Sequence, residues 1–220
     1  MNIDFTRIIP RIPYLLQGVQ VTLTIALVAA LIGSVLGFII SLMTSKKGLL
    51  GRVLFLFVDF FRGTPLYFQL FFYHYGLPQV IPGFLPTAYH SAFVIFSINS
   101  AAYLSEIFRA GIQSIDKGQI EAAKALNIST WDIVTGIIIP IGAKNVLPAI
   151  INEFITLIKE TSVAAVISVN EIMRRHTIVA GTTFRAFESL IIVGLIYYTL
   201  TKTLSIAGKV VERKLRYDLR

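Results

Sequence analysis

Residues 121–140 read EAAKALNISTWDIVTGIIIP. The stretch is too polar to cross a bilayer, yet it lies between segments apolar enough to do so. Just ahead of it, DKGQ at residues 116–119 opens like a helix start. Asp116 is placed to cap, and Gln119, three residues on, to reach back. Ile120, Ala123 and Leu126 continue one short helix, and Asn127 interrupts it. Ser129 and Asp132 repeat the capping spacing and begin a second short helix. The reading is two short helices with a bend at one membrane face, presenting the small residues Ala122 and Ala123 to a neighbour.

Composition agrees with a membrane setting. The chain has 220 residues, of which 55% are hydrophobic and only 15% charged, and its mean hydropathy is +0.74. That describes an integral membrane protein, one domain over residues 1–220, with no room for a soluble enzyme domain. The net charge is +8, but the basic residues flank hydrophobic spans instead of gathering on one soluble face, so nucleic-acid binding is not expected. No cysteine is present, which removes disulfides, thiol nucleophiles and Cys metal sites. The opening MNIDFTRIIPRIP lacks a short apolar core with a small-residue cleavage site, so no cleavable leader is expected. No G-x-x-x-x-G-K-[ST] loop occurs, so ATP is not held in that way, and neither H-E-x-x-H nor G-x-S-x-G appears. Internal repeats, low-complexity segments and linkers are also absent.

Hydrophobic runs predict an all-helical fold with five spans, at about residues 15–44, 53–75, 89–110, 143–166 and 186–207. A cytoplasmic loop covers about residues 113–140. Lys46, Lys47 and Arg52 make a compact basic loop, and Lys209, Arg213, Lys214, Arg216 and Arg220 a basic tail. Both belong on the cytoplasmic side by the positive-inside rule. Five spans, with the N-terminus outside and the C-terminus inside, satisfy both clusters.

Within the first span Gly33 and Gly37 are four apart. The spacing permits close helix approach, but such pairs are frequent in membrane helices, so the favoured reading is that glycine is simply common there. In the second span Asp59 and Arg62 share a face and are placed to pair. Gly63-Thr64-Pro65 then kinks or breaks the helix. His74 and His90 flank an uncharged turn, residues 76–86, and read as interfacial or packed side chains, since neither has a second ligand at metal spacing. The third span carries a polar stripe, Asn99, Tyr103 and Glu106, which must face protein or water. Asn99 either contacts a substrate or hydrogen-bonds another helix.

The fourth span begins after Pro140, with Pro148 in its first turns. Glu153 and Glu160, seven apart with Thr156 between, lie on one face about 10 Å apart along the axis. Either they pair with basic residues elsewhere, such as Arg62 or Arg109, or they face a cavity and receive an ammonium group or cationic side chain. Residues 169–185 are a mixed stretch placed outside, where Arg174, Arg175 and Arg185 run against the charge bias. His176 there has no partner pattern. The fifth span keeps Glu188 and Lys202 near its ends.

The loop also resembles the EAA loop of the permease subunits of binding-protein-dependent ABC importers. That pattern runs Glu-Ala-Ala, three residues, Gly, nine residues, Ile, any residue, Leu-Pro. Here Glu121-Ala122-Ala123 is followed by Asn127 in the Gly place, Ile137, Ile139 in the Leu place and Pro140. Asn is a mild departure, because it tolerates the left-handed conformation better than most residues. Arg62-Gly63-Thr64-Pro65 with Gln69 and Gly76-Leu77-Pro78, SAAYLSEIFRAGI at residues 100–112, Asn152-Glu153-Phe154 and Lys159-Glu160-Thr161-Ser162 resemble the polar amino-acid branch of this family.

The resemblance covers nearly the whole chain and implies a type I importer permease fold in a bacterial inner membrane. It implies two such subunits, identical or homologous, around one path, with a cytoplasmic ATPase dimer and an extracytoplasmic solute-binding protein. The cargo is an amino acid. The chain itself is then no enzyme and needs no cofactor. Glu121, Ala122, Ala123 and Asn127 match the ATPase-coupling positions, and Asn99, Glu153, Glu160, Thr161 and Ser162 match positions near the substrate site. A secondary transporter or channel that needs no ATPase, with the carboxylates carrying protons, is the competing reading. A purely scaffolding membrane subunit is another, and a polar docking loop is needed by neither.

Overall fold

A computed structural model describes residues 3–44 and 48–218, with side chains through Lys214. Lys46, Lys47, Arg220 and the side chain of Arg216 lie outside the described residues. The chain is helical among the described residues. Its α-helices run α1 (Ile12–Thr44), α2 (Leu49–Gly63), α3 (Leu66–Phe71), α4 (Leu77–Val80), α5 (Ala88–Gln113), α6 (Lys117–Ala125), α7 (Thr130–Ile133), α8 (Ile139–Glu160), α9 (Ile172–Thr183) and α10 (Ala186–Asp218). Among the described residues, 4 helical segments are long and apolar enough to cross a membrane: Ile9–Thr44, Ala88–Gln113, Thr130–Ile167 and Ala186–Lys214.

The second expected span is not one of these, because it is in pieces. Thr64 is extended (φ −113°, ψ 147°) ahead of Pro65, the conformation a following proline imposes. Helix resumes at Leu66, widens into a π turn over Phe72–Gly76, and ends in α4. The break expected at Gly63-Thr64-Pro65 is therefore present, and it divides the segment into lengths too short to cross singly.

Helices α1 and α5 form the central pair. A Cβ on Gly33 would stand 2.6 Å from Ser100 Oγ, and one on Gly37 2.9 Å from both Ala101 O and Ser105 N. The glycine pair thus does make a close helix contact, against the reading of it as ordinary membrane-helix composition. Lipid supplies no hydrophobic drive for helix association, so dispersion between closely packed backbones must do it. Around this pair Leu70, Phe96, Leu157 and Ile167 close the main core with Ile25 and Ala29. A second cluster, Ile8, Leu15, Ile172, Val179 and Val193, joins α1 to α9 and α10.

The start of the fourth span differs from expectation. The helix opened by Ser129 is not short and separate. It runs from α7 through a π turn (Val134–Ile138) into α8. Pro140 has no N–H to return to Gly136, and the wider turn, closed by Ile139 N to Val134 O, carries the chain past it. Pro148 consequently sits inside the helix, not in its first turns. At the other end, α10 keeps one helix through Lys209 and Arg213, so the basic tail, as far as described, is a helical extension of the last span.

Candidate functional site

The polar loop is built as two capped turns around one left-handed residue. Asp116 caps α6, its Oδ1 accepting from Gly118 N at 2.7 Å. Gln119 makes no reciprocal bond among the described residues. At the other end Asn127 N donates to Lys124 O at 2.9 Å and Ile128 N to Ala123 O at 3.1 Å. With Asn127 at φ 59°, this is a Schellman motif, the termination that normally uses glycine. Ser129 Oγ then accepts from Asp132 N at 3.1 Å and donates to Asp132 Oδ2 at 2.6 Å. Ser114 Oγ accepts from Asn145 Nδ2 at 2.7 Å, tying the root of the loop to α8.

Of the four expected coupling residues, Glu121, Ala122 and Asn127 are exposed, while Ala123 is buried against the chain itself. Ala122 and Ala123 therefore do not face a common neighbour, since adjacent helix positions point about 100° apart. Sequence reading missed two larger side chains on the same loop. Leu126 is 76% exposed and Trp131 74% exposed. The chain's one tryptophan standing on a polar loop was the available signal.

The stripe on α5 points at the broken second span. Asn99 is buried, and its Nδ2 donates to Gln69 Oε1 at 3.0 Å and to Phe61 O at 3.4 Å. Tyr103 carries the Arg62 guanidinium over its ring at 5.6 Å. Glu106 pairs with Arg62 at 3.5 Å and accepts from Arg109 Nε at 3.0 Å. The expected Asp59–Arg62 pair is not formed. Asp59 is exposed, and Arg62 turns to the carboxylate on α5 that its neighbour helix offers.

Arg62 and Arg109 being committed to Glu106, neither reaches α8. Among the described residues Glu153 and Glu160 have no hydrogen bond or ion pair, and both are half-buried. Thr161 is fully buried and donates to Ile158 O at 2.8 Å. Ser162, with Lys159, Met173 and Tyr197, lines a cavity of about 270 Å³. The structure thus keeps the two carboxylates on one helix face, sets Ser162 on a cavity between α8, α9 and α10, and places Asn99 behind the helix break.

Arg175 and Arg185 both bond within the chain. Arg175 donates to Tyr14 O at 3.1 Å and Gln17 Oε1 at 2.9 Å, and lies over the Tyr14 ring at 4.5 Å. Arg185 joins Asp4 at 3.6 Å to Glu188 at 3.3 Å. Hydrogen bonds from the Thr6 hydroxyl and backbone hold the Asp4 carboxyl below its ordinary pKa, with Arg185 adding to them. His176 does have a partner: its Nδ1 lies 2.9 Å from Ser189 Oγ, and burial lowers the pKa of the ring. Glu171, also missed, is fully buried at the cap of α9, bonded by Arg174 N at 2.6 Å and Tyr197 Oη at 2.7 Å. His74 bonds Ser91 Oγ at 2.8 Å, and the His90 ring lies 6.0 Å from that of Tyr73.

Comparison with known proteins places this geometry. Residues 29–217 match the family described as binding-protein-dependent transport system inner membrane component. The arginine transport system permease protein ArtQ of Bacillus subtilis (strain 168) is 46% identical, over 98% of this chain and 99% of its own length. A putative glutamine transport system permease protein, GlnP of Rickettsia conorii, is 36% identical over 94% of each chain. A crystal structure of an amino acid ABC transporter with histidines superposes with TM-score 0.91 at 36% identity, covering 97% of this chain and 100% of that one. The inward-facing MetNI methionine ABC transporter, 20% identical with TM-score 0.78, shares the fold. An apolar multi-pass helical chain with a capped polar loop between two spans is what such a protein requires, and this chain belongs to the family of inner membrane components of binding-protein-dependent transport systems.

Proposed function

We propose that the chain is the membrane-spanning subunit of an ATP-driven amino-acid importer. It crosses the membrane five times, counting the broken segment over residues 49–80, with its N-terminus outside and its C-terminus in the cytoplasm. A second permease subunit completes the path, a separate ATPase dimer docks on the loop at residues 116–132, and a solute-binding protein delivers cargo outside. The observation that carries the proposal is the loop: an exposed polar helix, capped at both ends, standing between two apolar helices. A helix stiffened by both caps and rooted on α5 and α8 moves as a lever when an ATPase displaces Glu121, Ala122 and Asn127. Ala123 supports that lever from inside.

Glu153 and Glu160 receive cargo in transit. Carboxylates left without internal partners within a membrane protein favour a cationic guest, and a relative named for arginine transport agrees with that choice. Ser162 contributes a hydroxyl, while Asn99 and Thr161 act behind the path. The test is uptake of arginine against glutamine in proteoliposomes holding the permease, its ATPase and its binding protein. Arginine uptake should require ATP, and Glu160→Gln should reduce both uptake and substrate-stimulated hydrolysis at least tenfold. Unchanged transport in that variant removes Glu160 from the path. Uptake without the ATPase, abolished by an uncoupler, establishes a secondary transporter instead.

A further inference from the structure

The break in the second span leaves one particular hydrogen bond unmade. In a continuous helix residue 65 donates to Phe61 O, and Pro65 has no N–H to give. Within a membrane an orphan carbonyl is strongly disfavoured, so a substitute donor is required. Gln69, one turn beyond the break, supplies it. Its Nε2 donates to Phe61 O at 2.8 Å and to Thr64 O and Oγ1, each at 3.0 Å. Its Oε1 in turn accepts from Asn99 Nδ2, which also reaches Phe61 O. The amide is nearly saturated by these contacts and is buried.

Three successive positions of the α5 stripe hold the same turn. Asn99 reaches Phe61 O and the Gln69 amide oxygen, Tyr103 lies beneath Arg62, and Glu106 pairs with it. Seven residues after Glu106, α5 ends at Gln113 and leads into the capped loop. The broken span is therefore fastened to the helix that the loop terminates, through side chains and not through a continuous backbone.

We propose that Gln69 is a positioning residue for transport. It replaces the missing N–H of Pro65 and, through Asn99, locks the break to α5, so that displacement of the loop carries the broken span with it. The role rests on the importer reading above. Asn99 acts in it through Gln69 and not by touching cargo.

The test uses the permease assembled with its ATPase and binding protein. Gln69→Leu keeps the volume and removes both donors. The ATPase subunit should remain bound and hydrolysis stay within twofold, while cargo moved per ATP falls at least tenfold. Hydrogen–deuterium exchange of the amides at residues 66–72 should quicken at least tenfold. Unchanged cargo per ATP overturns the proposal. So does a parallel fall of hydrolysis, subunit retention and uptake, which marks a folding defect alone. Should the unsubstituted complex show no ATP-dependent uptake, the importer reading fails. Exchange at residues 66–72 then still decides the break, and unchanged exchange in Gln69→Leu overturns the role of the amide.

Discussion

Gly37 meets Ser105 so closely that a Cβ on the glycine would stand 2.9 Å from the Ser105 amide nitrogen, and equally near Ala101 O. Both obstacles are backbone. At Gly33 the obstacles are Ser100 Oγ at 2.6 Å and Ser100 Cβ at 2.8 Å, and turning the hydroxyl away leaves the Cβ in place. Gly33→Ala and Gly37→Ala should therefore each destabilise by about 1–3 kcal/mol, the cost of overpacking that fixed neighbours cannot relieve. Thermal unfolding of the two variants in one detergent checks this. An unchanged midpoint in either would mean that α1 slides to accommodate the methyl group.

Asn127 occupies the left-handed position that ends α6. Asn127→Gly removes what strain the side chain adds there and should leave stability equal or higher. Asn127→Val puts a β-branched residue at a positive φ and should lose about 1–2 kcal/mol locally. The consequence is read at the loop: ATPase subunit retained on purification with the Gly variant, and lost or weakened with the Val variant.

Leu126 and Trp131 stand out of the polar loop with most of their surface free. Exposed large apolar groups on a docking element are the usual anchors of an interface. Trp131→Ala should weaken association with the ATPase by about 2 kcal/mol or more, roughly thirtyfold, without changing the unfolding temperature of the permease. Binding of the purified ATPase to permease in nanodiscs measures it directly.

His176 ties α9 to Ser189 of α10, and its pKa is lowered by burial. The unfolded chain binds the proton more readily than the folded one. The stability from this site is complete above the unfolded value, about 6.5, and is lost as pH falls below it. Glu171 at the cap of α9 has the opposite sign, since burial raises its pKa. Its protonated form is the better tolerated one when folded, so its contribution declines as pH rises. His176→Gln isolates the histidine: the slope of stability between about pH 6.5 and pH 5 should flatten. An unchanged slope assigns that pH dependence to a group other than His176 and Glu171.

Much of the loop was legible because its chemistry is local. Capping at Asp116 and Ser129 and the left-handed Asn127 depend on bonds between residues two to five positions apart, and such bonds are written in adjacent positions. The break at Pro65 was legible for the same reason, since a missing N–H is a property of one residue. The long apolar helices followed from composition alone.

Partnership across the chain was another matter. Arg62 had Asp59 on its own helix face and took Glu106, because α5 lies against that turn. His176 found Ser189, and Glu171 found Tyr197, at separations that no spacing rule covers. Gly33 and Gly37 carried a spacing common to many membrane helices, and only the approach of α5 made it a contact. Asn99 was marked as a polar residue needing a partner, while the choice of Gln69 and Phe61 O awaited the folded chain. By itself the sequence determined which stretches are long and apolar, where the loop helices are capped, where the second segment breaks, and that Asn99 needed a partner. The tertiary structure alone decided who answers whom, because in lipid each polar group takes the nearest donor or acceptor that helix packing brings within about 3 Å.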